Sequence, residues 1–190
     1  MDVPLSITAA SGEQLARRGI TDTAQLAKVV PGFTYQESNY GTPVFTIRGV
    51  GFFDGSFGAS PTVTTYVDQV PLSYSLLTRG ATLDLERVEV LKGPQGTLFG
   101  QNSTGGAINY IAAKPTSDFA AGAGVSYGRF NAIDAEGFVS GPLSDTVRMR
   151  VALRSESADG WQKSLTRPGD HFGEKEFYNG RVLLDWTPTE

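Results

Sequence analysis

Hydrophobic and polar residues alternate with a period of two along the second part of the chain. Four stretches show this alternation, at 119–127, 132–140, 147–154 and 178–186. In each stretch apolar side chains take every second position, and charged or small side chains take the positions between them. This is the pattern of a β-strand whose two faces meet different surroundings. The sequence therefore predicts four antiparallel strands joined in chain order.

Two structures fit this pattern. One is a soluble meander with a single face packed on a core. The other is a transmembrane β-barrel, whose apolar residues face lipid and whose polar residues face a wet lumen. A row of charged residues, Arg148, Arg150 and Arg154, suits a water-filled interior. The row therefore favours the barrel.

The connections and the aromatic residues favour the barrel as well. Short connections at 128–130 and 141–145 contrast with a long polar one at 157–176, as in bacterial barrels with short turns on one side and longer loops on the other. Aromatic residues gather near the strand ends, where the interfacial girdles of a barrel lie. They are Phe119, Tyr127, Phe130, Tyr178 and Trp186.

The first part of the chain, 1–114, mixes short helical and short strand patterns. Ser11 followed by Gln14 and ended by Gly19 predicts a short helix with a capping box. A second helix is predicted from a cap within 21–23 through Val30, before Pro31-Gly32. Runs of β-branched and aromatic residues then predict strands. These are 44–50, 63–70, 88–91 and 107–112. The prediction is a small α+β domain of about four strands.

Composition excludes several classes of function. The 190 residues carry a formal net charge of −4, which gives no reason to expect nucleic acid as a partner. The absence of cysteine excludes a disulfide framework, a thiolate nucleophile and cysteine-ligated metal sites. The 23 glycines, well above the usual share of about 7%, are typical of β structure with demanding turns. No apolar run approaches the ~18 residues of a membrane-spanning helix.

Five segments resemble, in order, elements of the plug domain of TonB-dependent outer-membrane receptors. They are 3–8, 31–33, 46–49, 67–71 and 85–109. The fourth carries Gln69 where the family usually has glycine. The resemblance implies that 1–114 is an α+β plug domain with a small mixed sheet and short helices. It also implies that 115–190 holds about four antiparallel strands of a transmembrane β-barrel of about 22 strands, so that the chain is expected to be a fragment.

The resemblance also implies a function. Such receptors import large, scarce nutrients across the outer membrane of Gram-negative bacteria, most often ferric siderophores, with the plug inside the barrel lumen. The expected partners are the TonB complex, which pulls on a segment ahead of the plug, the nutrient ligand and outer-membrane lipid, without nucleic acid. The expectation is a transporter rather than an enzyme, without a cofactor. In this family connections after odd-numbered strands are outer, and the long connection here follows the third strand.

Candidate site residues fall into two groups. The outer-facing plug loops, 36–42, 51–60 and 73–77, are aromatic and carry few charges, so they are expected to contact ligand. Their aromatic residues are Tyr40, Phe52, Phe53, Phe57 and Tyr74. The resemblance further implies that charged plug residues meet the barrel wall. These are Arg48, Glu86, Arg87 and Glu89. The alternative for the second group is a local Glu86–Arg87 surface pair.

Other kinds of site have weaker support. The glycine cluster within 93–106 lacks the Lys-Ser/Thr that ends a phosphate-binding loop. His171 lies among Asp170, Glu174 and Glu176, a set typical of a solvated loop. No serine has a neighbouring histidine to serve as its base, so neither a catalytic nor a metal site is expected. The open alternatives are uptake of a glycan, cobalamin or small aromatic compound, a plug-type binding or signalling module without transport, and a soluble β-rich enzyme.

Overall fold

The chain forms two compact units that divide between Ala113 and Lys114. The computed structural model describes residues 6–38, 42–51, 61–72, 74–96 and 103–188. The first unit combines strands with short helices, and the second consists of strands and their connections. No helix within the described ranges is long and apolar enough to cross a bilayer.

The helices of the first unit follow the capping signals of the sequence. Helix α1 spans Gly12–Arg17, and Ser11 and Gln14 form the predicted capping box. The second predicted helix is a shorter 3-10 helix, Thr23–Lys28, capped by the Asp22 carboxylate, which accepts the Gln25 N–H at 3.0 Å. It ends before Val30 because β-branched residues restrict helical rotamers and the residue before Pro31 disfavours helical backbone.

The first unit contains more strands than the sequence predicts. Its described residues form seven: β1 Ser6–Ser11, β2 Phe33–Glu37, β3 Pro43–Ile47, β4 Val63–Val67, β5 Val70–Leu72, β6 Leu85–Lys92 and β7 Gly106–Ala112. The prediction of about four strands is therefore wrong. The run 63–70 divides into a hairpin because Asp68 and Gln69 adopt positive φ angles of 48° and 69° and reverse the chain. Strand β2 escaped detection because Gln36 and Glu37 interrupt its apolar pattern.

Five of these strands form one mixed sheet in the order β1-β6-β7-β4-β5. The β4–β7 pair is parallel and the other pairs are antiparallel, while β2 and β3 form a separate hairpin. Strand β7 is buried along its whole length. It begins at Gly106, whose φ is +145° and where a Cβ would lie 2.3 Å from the Leu91 carbonyl oxygen. Glycine is therefore required where β7 meets β6.

The second unit is an antiparallel meander, which confirms the predicted strands. They are β8 Ala120–Gly128, β9 Ala132–Pro142, β10 Val147–Ala158 and β13 Lys175–Trp186, hydrogen-bonded in that order. The long connection between β10 and β13 contains a small hairpin, formed by β11 Gln162–Lys163 and β12 His171–Phe172. The turn 129–131 and the long connection meet at one end of the sheet, where Asn131 donates to Asp159.

Candidate functional site

Charged side chains of the meander lie on one face and pair across three strands. Arg154 of β10 donates two hydrogen bonds to Asp134 of β9, at 3.0 and 2.6 Å. Its guanidinium also lies 2.8 Å from Glu156, which in turn contacts Lys175 of β13. The Arg154 side chain is only 3% exposed. We call Asp134, Arg154, Glu156 and Lys175 the charge ladder; its alternating signs allow Arg154 and Glu156 to be buried, while Lys175 is about half exposed.

The same face carries further paired charges. Arg148 donates to Asp185 across β10 and β13 at 2.8 Å. Arg150 stacks its guanidinium 3.8 Å from the centre of the Phe138 ring. The row of arginines found in the sequence thus lies on a polar face. Carboxylates and an aromatic ring there stabilise the positive charges of the arginines.

The opposite face of the meander is apolar and exposed. Across its middle, Val139, Val151 and Val182 lie in register on β9, β10 and β13. Leu153, on the same face, is 63% exposed, whereas the neighbouring Arg154 is buried. Aromatic side chains mark both ends of the face, with Tyr127 and Tyr178 at one end and Phe119 and Trp186 at the other. A meander packed on a core would bury its apolar face, so this burial pattern fits a lipid-facing sheet.

Three of the predicted charged plug residues form one cluster on β6. Arg87 donates to Glu89 at 2.7 Å and also contacts Glu86. The hydrogen bond to Glu89 raises the pKa of the Arg87 guanidinium. The local Glu86–Arg87 pair, which the sequence analysis gave as the alternative to a contact with the barrel wall, is therefore present. Arg48 lies apart from this β6 cluster, beyond β3, where it donates to the Ser6 hydroxyl at 2.9 Å.

Asn109 of β7 joins this cluster to the β4–β5 turn, a role that the sequence analysis missed. Its side chain accepts the Gln69 N–H at 3.3 Å and donates to Glu89 at 3.5 Å. Asn109 is 2% exposed in a strand that is otherwise buried and mostly apolar. A single amide within an apolar strand needs polar partners, and this requirement was the signal available in the sequence.

Of the predicted ligand-contact residues, Tyr74 lies within the described part of the chain and is half exposed. It precedes the 3-10 helix Ser75–Thr78, and its carbonyl accepts the Leu77 N–H at 3.0 Å. Leu77, the last residue of the predicted ligand-contact loop 73–77, is also half exposed. Both side chains thus offer apolar surface on one turn. Tyr40, Phe52, Phe53 and Phe57 lie outside the described residues.

A cavity of about 780 Å³ opens at the end of the meander where the β8–β9 turn meets the long connection. We call it the turn cavity; its lining includes Tyr127, Arg129, Phe130, Asn131, Asp159 and His171. From the sequence, His171 was expected to lie in a solvated loop without a metal site. Within the part of the chain that the structure describes, no group of three or more histidine and acidic side chains is arranged to hold a metal ion.

The model of the TonB-dependent receptor plug domain matches residues 1–107, more than half of the chain. The chain therefore belongs to the family of TonB-dependent receptors. The first unit is its plug domain, a mixed sheet with few helices, and the antiparallel meander follows it.

Individual members of the family match both units. The pesticin receptor of Yersinia pestis is 31% identical over 195 residues, covering 98% of this chain and 28% of the relative. The ferripyoverdine receptor of Pseudomonas aeruginosa is 29% identical, with coverage of 98% and 22%. The crystal structure of the ferric yersiniabactin uptake receptor from Yersinia pestis superposes with a TM-score of 0.79 at 31% identity, covering 95% of this chain and 28% of that one. The TonB-dependent chain described here thus spans under a third of the length of these relatives.

Proposed function

We propose that this chain acts in TonB-energised import of a large, scarce nutrient across the outer membrane of a Gram-negative bacterium, with a ferric siderophore as the ligand. The meander with its exposed apolar face and buried charges, following a plug domain, carries this proposal. The names of similar proteins support the choice of ligand. They include receptors for ferric yersiniabactin, ferripyoverdine and ferrioxamine B. Import of this kind requires no chemical change in the ligand.

The two faces of the meander suggest how it is oriented in the membrane. We place the apolar face against outer-membrane lipid, with its aromatic ends near the headgroups. The face with the charge ladder then belongs to the lumen, where the plug resides. In this arrangement Arg48, Glu86, Arg87 and Glu89 of the plug would meet charged groups of the barrel wall. Arg87 is suited to this role because its planar fork exchanges one carboxylate for another without losing hydrogen bonds.

The ligand contacts belong to the proposal as well. Tyr74 and Leu77 expose apolar surface that fits the rings or chains of a chelate. By sequence alone we add Tyr40, Phe52, Phe53 and Phe57 to this contact surface. Aromatic side chains bind such ligands with little loss of conformational entropy, because each has only two rotatable side-chain angles.

Uptake of radiolabelled iron tests the proposal. The gene that contains this chain is deleted in its host, and the ferric complexes of yersiniabactin, pyoverdine and ferrioxamine B are supplied separately under iron limitation. We expect uptake of one complex to fall at least tenfold, to return with the wild-type gene, and to require TonB. Replacement of Tyr74→Ala should weaken binding of that complex, whereas Tyr66→Phe at a buried position of β4 serves as a control. Unchanged uptake of all three complexes and of ferric complexes from the host's own culture medium would contradict import of ferric siderophores.

A small aromatic compound without iron is the second candidate for the ligand. The apolar surface of Tyr74 and Leu77 favours it, because such a compound needs no charged contact. Regulation separates the two candidates. Expression that rises under iron limitation supports the siderophore, whereas expression that responds only to an aromatic growth substrate supports the second candidate.

A further inference from the structure

The turn between β8 and β9 holds two large residues in an unusual backbone conformation. Phe130 and Asn131 both have positive φ angles, of 62° and 52°. Asparagine tolerates this left-handed region, but a bulky residue such as phenylalanine rarely adopts it. A residue stays in such a conformation only where its surroundings impose it, and these residues concentrate at ligand-binding sites. The turn is therefore a candidate site.

Three short hydrogen bonds hold the turn in place. The Tyr127 hydroxyl donates to the Asn131 amide oxygen at 2.8 Å, and the Asn131 amide nitrogen donates to the Asp159 carboxylate at 2.6 Å. The backbone N–H of Asp159 then donates to the Phe130 carbonyl at 2.8 Å. These bonds join β8, the turn and the first residues of the long connection. The bonds fix the backbone of Phe130 and the side chain of Asn131.

The turn presents a cation on an aromatic ring at the open turn cavity. The Arg129 guanidinium lies 4.6 Å from the centre of the Phe130 ring. Among the described residues, no carboxylate lies within ion-pair distance of Arg129, so its N–H groups can bind an anion from outside. The turn cavity, of about 780 Å³, is open to its surroundings, since Tyr127 is 73% and Phe130 41% exposed. Asp159 supplies one carboxylate, already engaged by Asn131, and His171 supplies an imidazole.

We propose that the turn cavity binds an aryl group that carries a single negative charge, such as a phenolate or an aryl carboxylate. The ring of the ligand packs against the exposed aromatic surface of the turn cavity, which Phe130 and Tyr127 supply. The anionic oxygen accepts charge-assisted hydrogen bonds from the Arg129 guanidinium. The Asp159 carboxylate disfavours a second negative charge, which limits the ligand to one.

This inference deepens the proposed function, on which it rests for its role in import. Phenolate and aryl carboxylate groups are oxygen donors suited to ferric iron, so the turn cavity would give a chelate a first contact on the outer side of the receptor. The cavity belongs entirely to the meander. Its binding of an aryl anion can therefore be measured without transport.

The test measures salicylate binding to the full chain in detergent micelles by saturation-transfer NMR and calorimetry. We expect Arg129→Gln to weaken salicylate binding at least tenfold. Arg129→Lys keeps the charge but not the planar fork, so its affinity should lie between those of wild type and Arg129→Gln. Arg167→Gln is the matched control, because Arg167 is an exposed arginine of the long connection and does not line the cavity. It should change binding less than twofold. Circular dichroism of each variant verifies that the sheet is intact.

Several results would overturn the inference. Equal affinity of wild type and Arg129→Gln, or an equal loss in Arg167→Gln, would show that Arg129 does not form the site. Equal affinity for neutral benzyl alcohol and for salicylate would remove the requirement for charge, and tighter binding of the dianion phthalate would remove the role given to Asp159. If salicylate binds as expected but no ferric complex is imported, the proposed function fails and the site stands. If import occurs without salicylate binding, the site fails alone.

Discussion

Asp68 and Gln69 reverse the chain between β4 and β5. The backbone strain of this turn lies mainly at Gln69. Its φ of 69° costs an L-residue about 1–2 kcal/mol, and glycine avoids this at an entropic cost of about 0.5–1 kcal/mol. We expect Gln69→Gly to raise the free energy of unfolding of the plug domain by about 0.5 kcal/mol. Urea unfolding, monitored through hydrogen exchange of the β4 and β5 amides, measures this change.

The neighbouring residue provides the control for that experiment. Asp68 also has a positive φ, but its carboxylate accepts the Ala112 N–H at 2.9 Å. Asp68→Gly should therefore lower stability by about 1 kcal/mol, because the loss of a charged hydrogen bond outweighs the relief of strain. If both glycine variants stabilise the domain equally, backbone strain alone governs the turn.

Tyr110 makes the stability of the plug domain depend on alkaline pH. Its hydroxyl is fully buried and shares a 2.7 Å hydrogen bond with Thr23. Burial raises the pKa of Tyr110 well above its ordinary value of 10.0, although the Thr23 hydrogen bond acts in the opposite direction. The neutral form therefore contributes its full stability below pH 10. That contribution falls as pH rises further, by up to about 1.4 kcal/mol per pH unit.

Replacement of Tyr110→Phe should separate the contribution of the Thr23 hydrogen bond from the loss of stability that ionisation of the Tyr110 hydroxyl causes at alkaline pH. At pH 7 we expect a loss of about 1 kcal/mol, because the Thr23 hydroxyl loses its partner. Between pH 10 and 11 the variant should lose less stability than wild type, so the difference narrows or reverses. Unfolding in urea at both pH values measures it, with Tyr74→Phe at an exposed position as the control. Parallel curves for wild type and Tyr110→Phe would show that Tyr110 does not cause the alkaline loss.

At the scale of strands, the charge ladder links β9, β10 and β13. Arg154→Met would leave Asp134 and Glu156 facing each other without the cation between them. Removal of one partner from a buried pair costs about 3–5 kcal/mol. Arg148→Met breaks a similar pair that is more than a third exposed, and we expect it to cost less than about 1 kcal/mol. Thermal unfolding in detergent compares the two variants, and equal losses would show that burial of the ladder contributes nothing.

The period of two explains why these strands could be predicted from sequence and the turn cavity could not. The alternation at 147–154 and 178–186 is local, so it identifies strands and their two faces without tertiary information. The contact between Asn131 and Asp159 joins residues 28 positions apart. It depends on the register of three strands, which the sequence pattern does not specify. Strand β5, with three residues, is too short to show any period.

At the scale of the whole molecule, two apolar side chains with the same exposed fraction can face different solvents, lipid or water. Val182, in the middle of the apolar face, is 60% exposed, and Leu143, in the turn after β9, is 61% exposed. If the apolar face lies in lipid, Val182→Arg places a charge in hydrocarbon and should cost about 2–4 kcal/mol. Leu143→Arg adds a charge outside the strands and should cost less than about 1 kcal/mol.

The two arginine variants therefore distinguish a lipid-facing sheet from one that faces water. Urea unfolding of the chain reconstituted in lipid vesicles gives the free energy of each variant relative to wild type. A loss confined to Val182→Arg supports the membrane position of the meander. Near-zero changes in both variants would mean that water covers the apolar face, and the proposal of a lipid-facing barrel wall would then have to be abandoned.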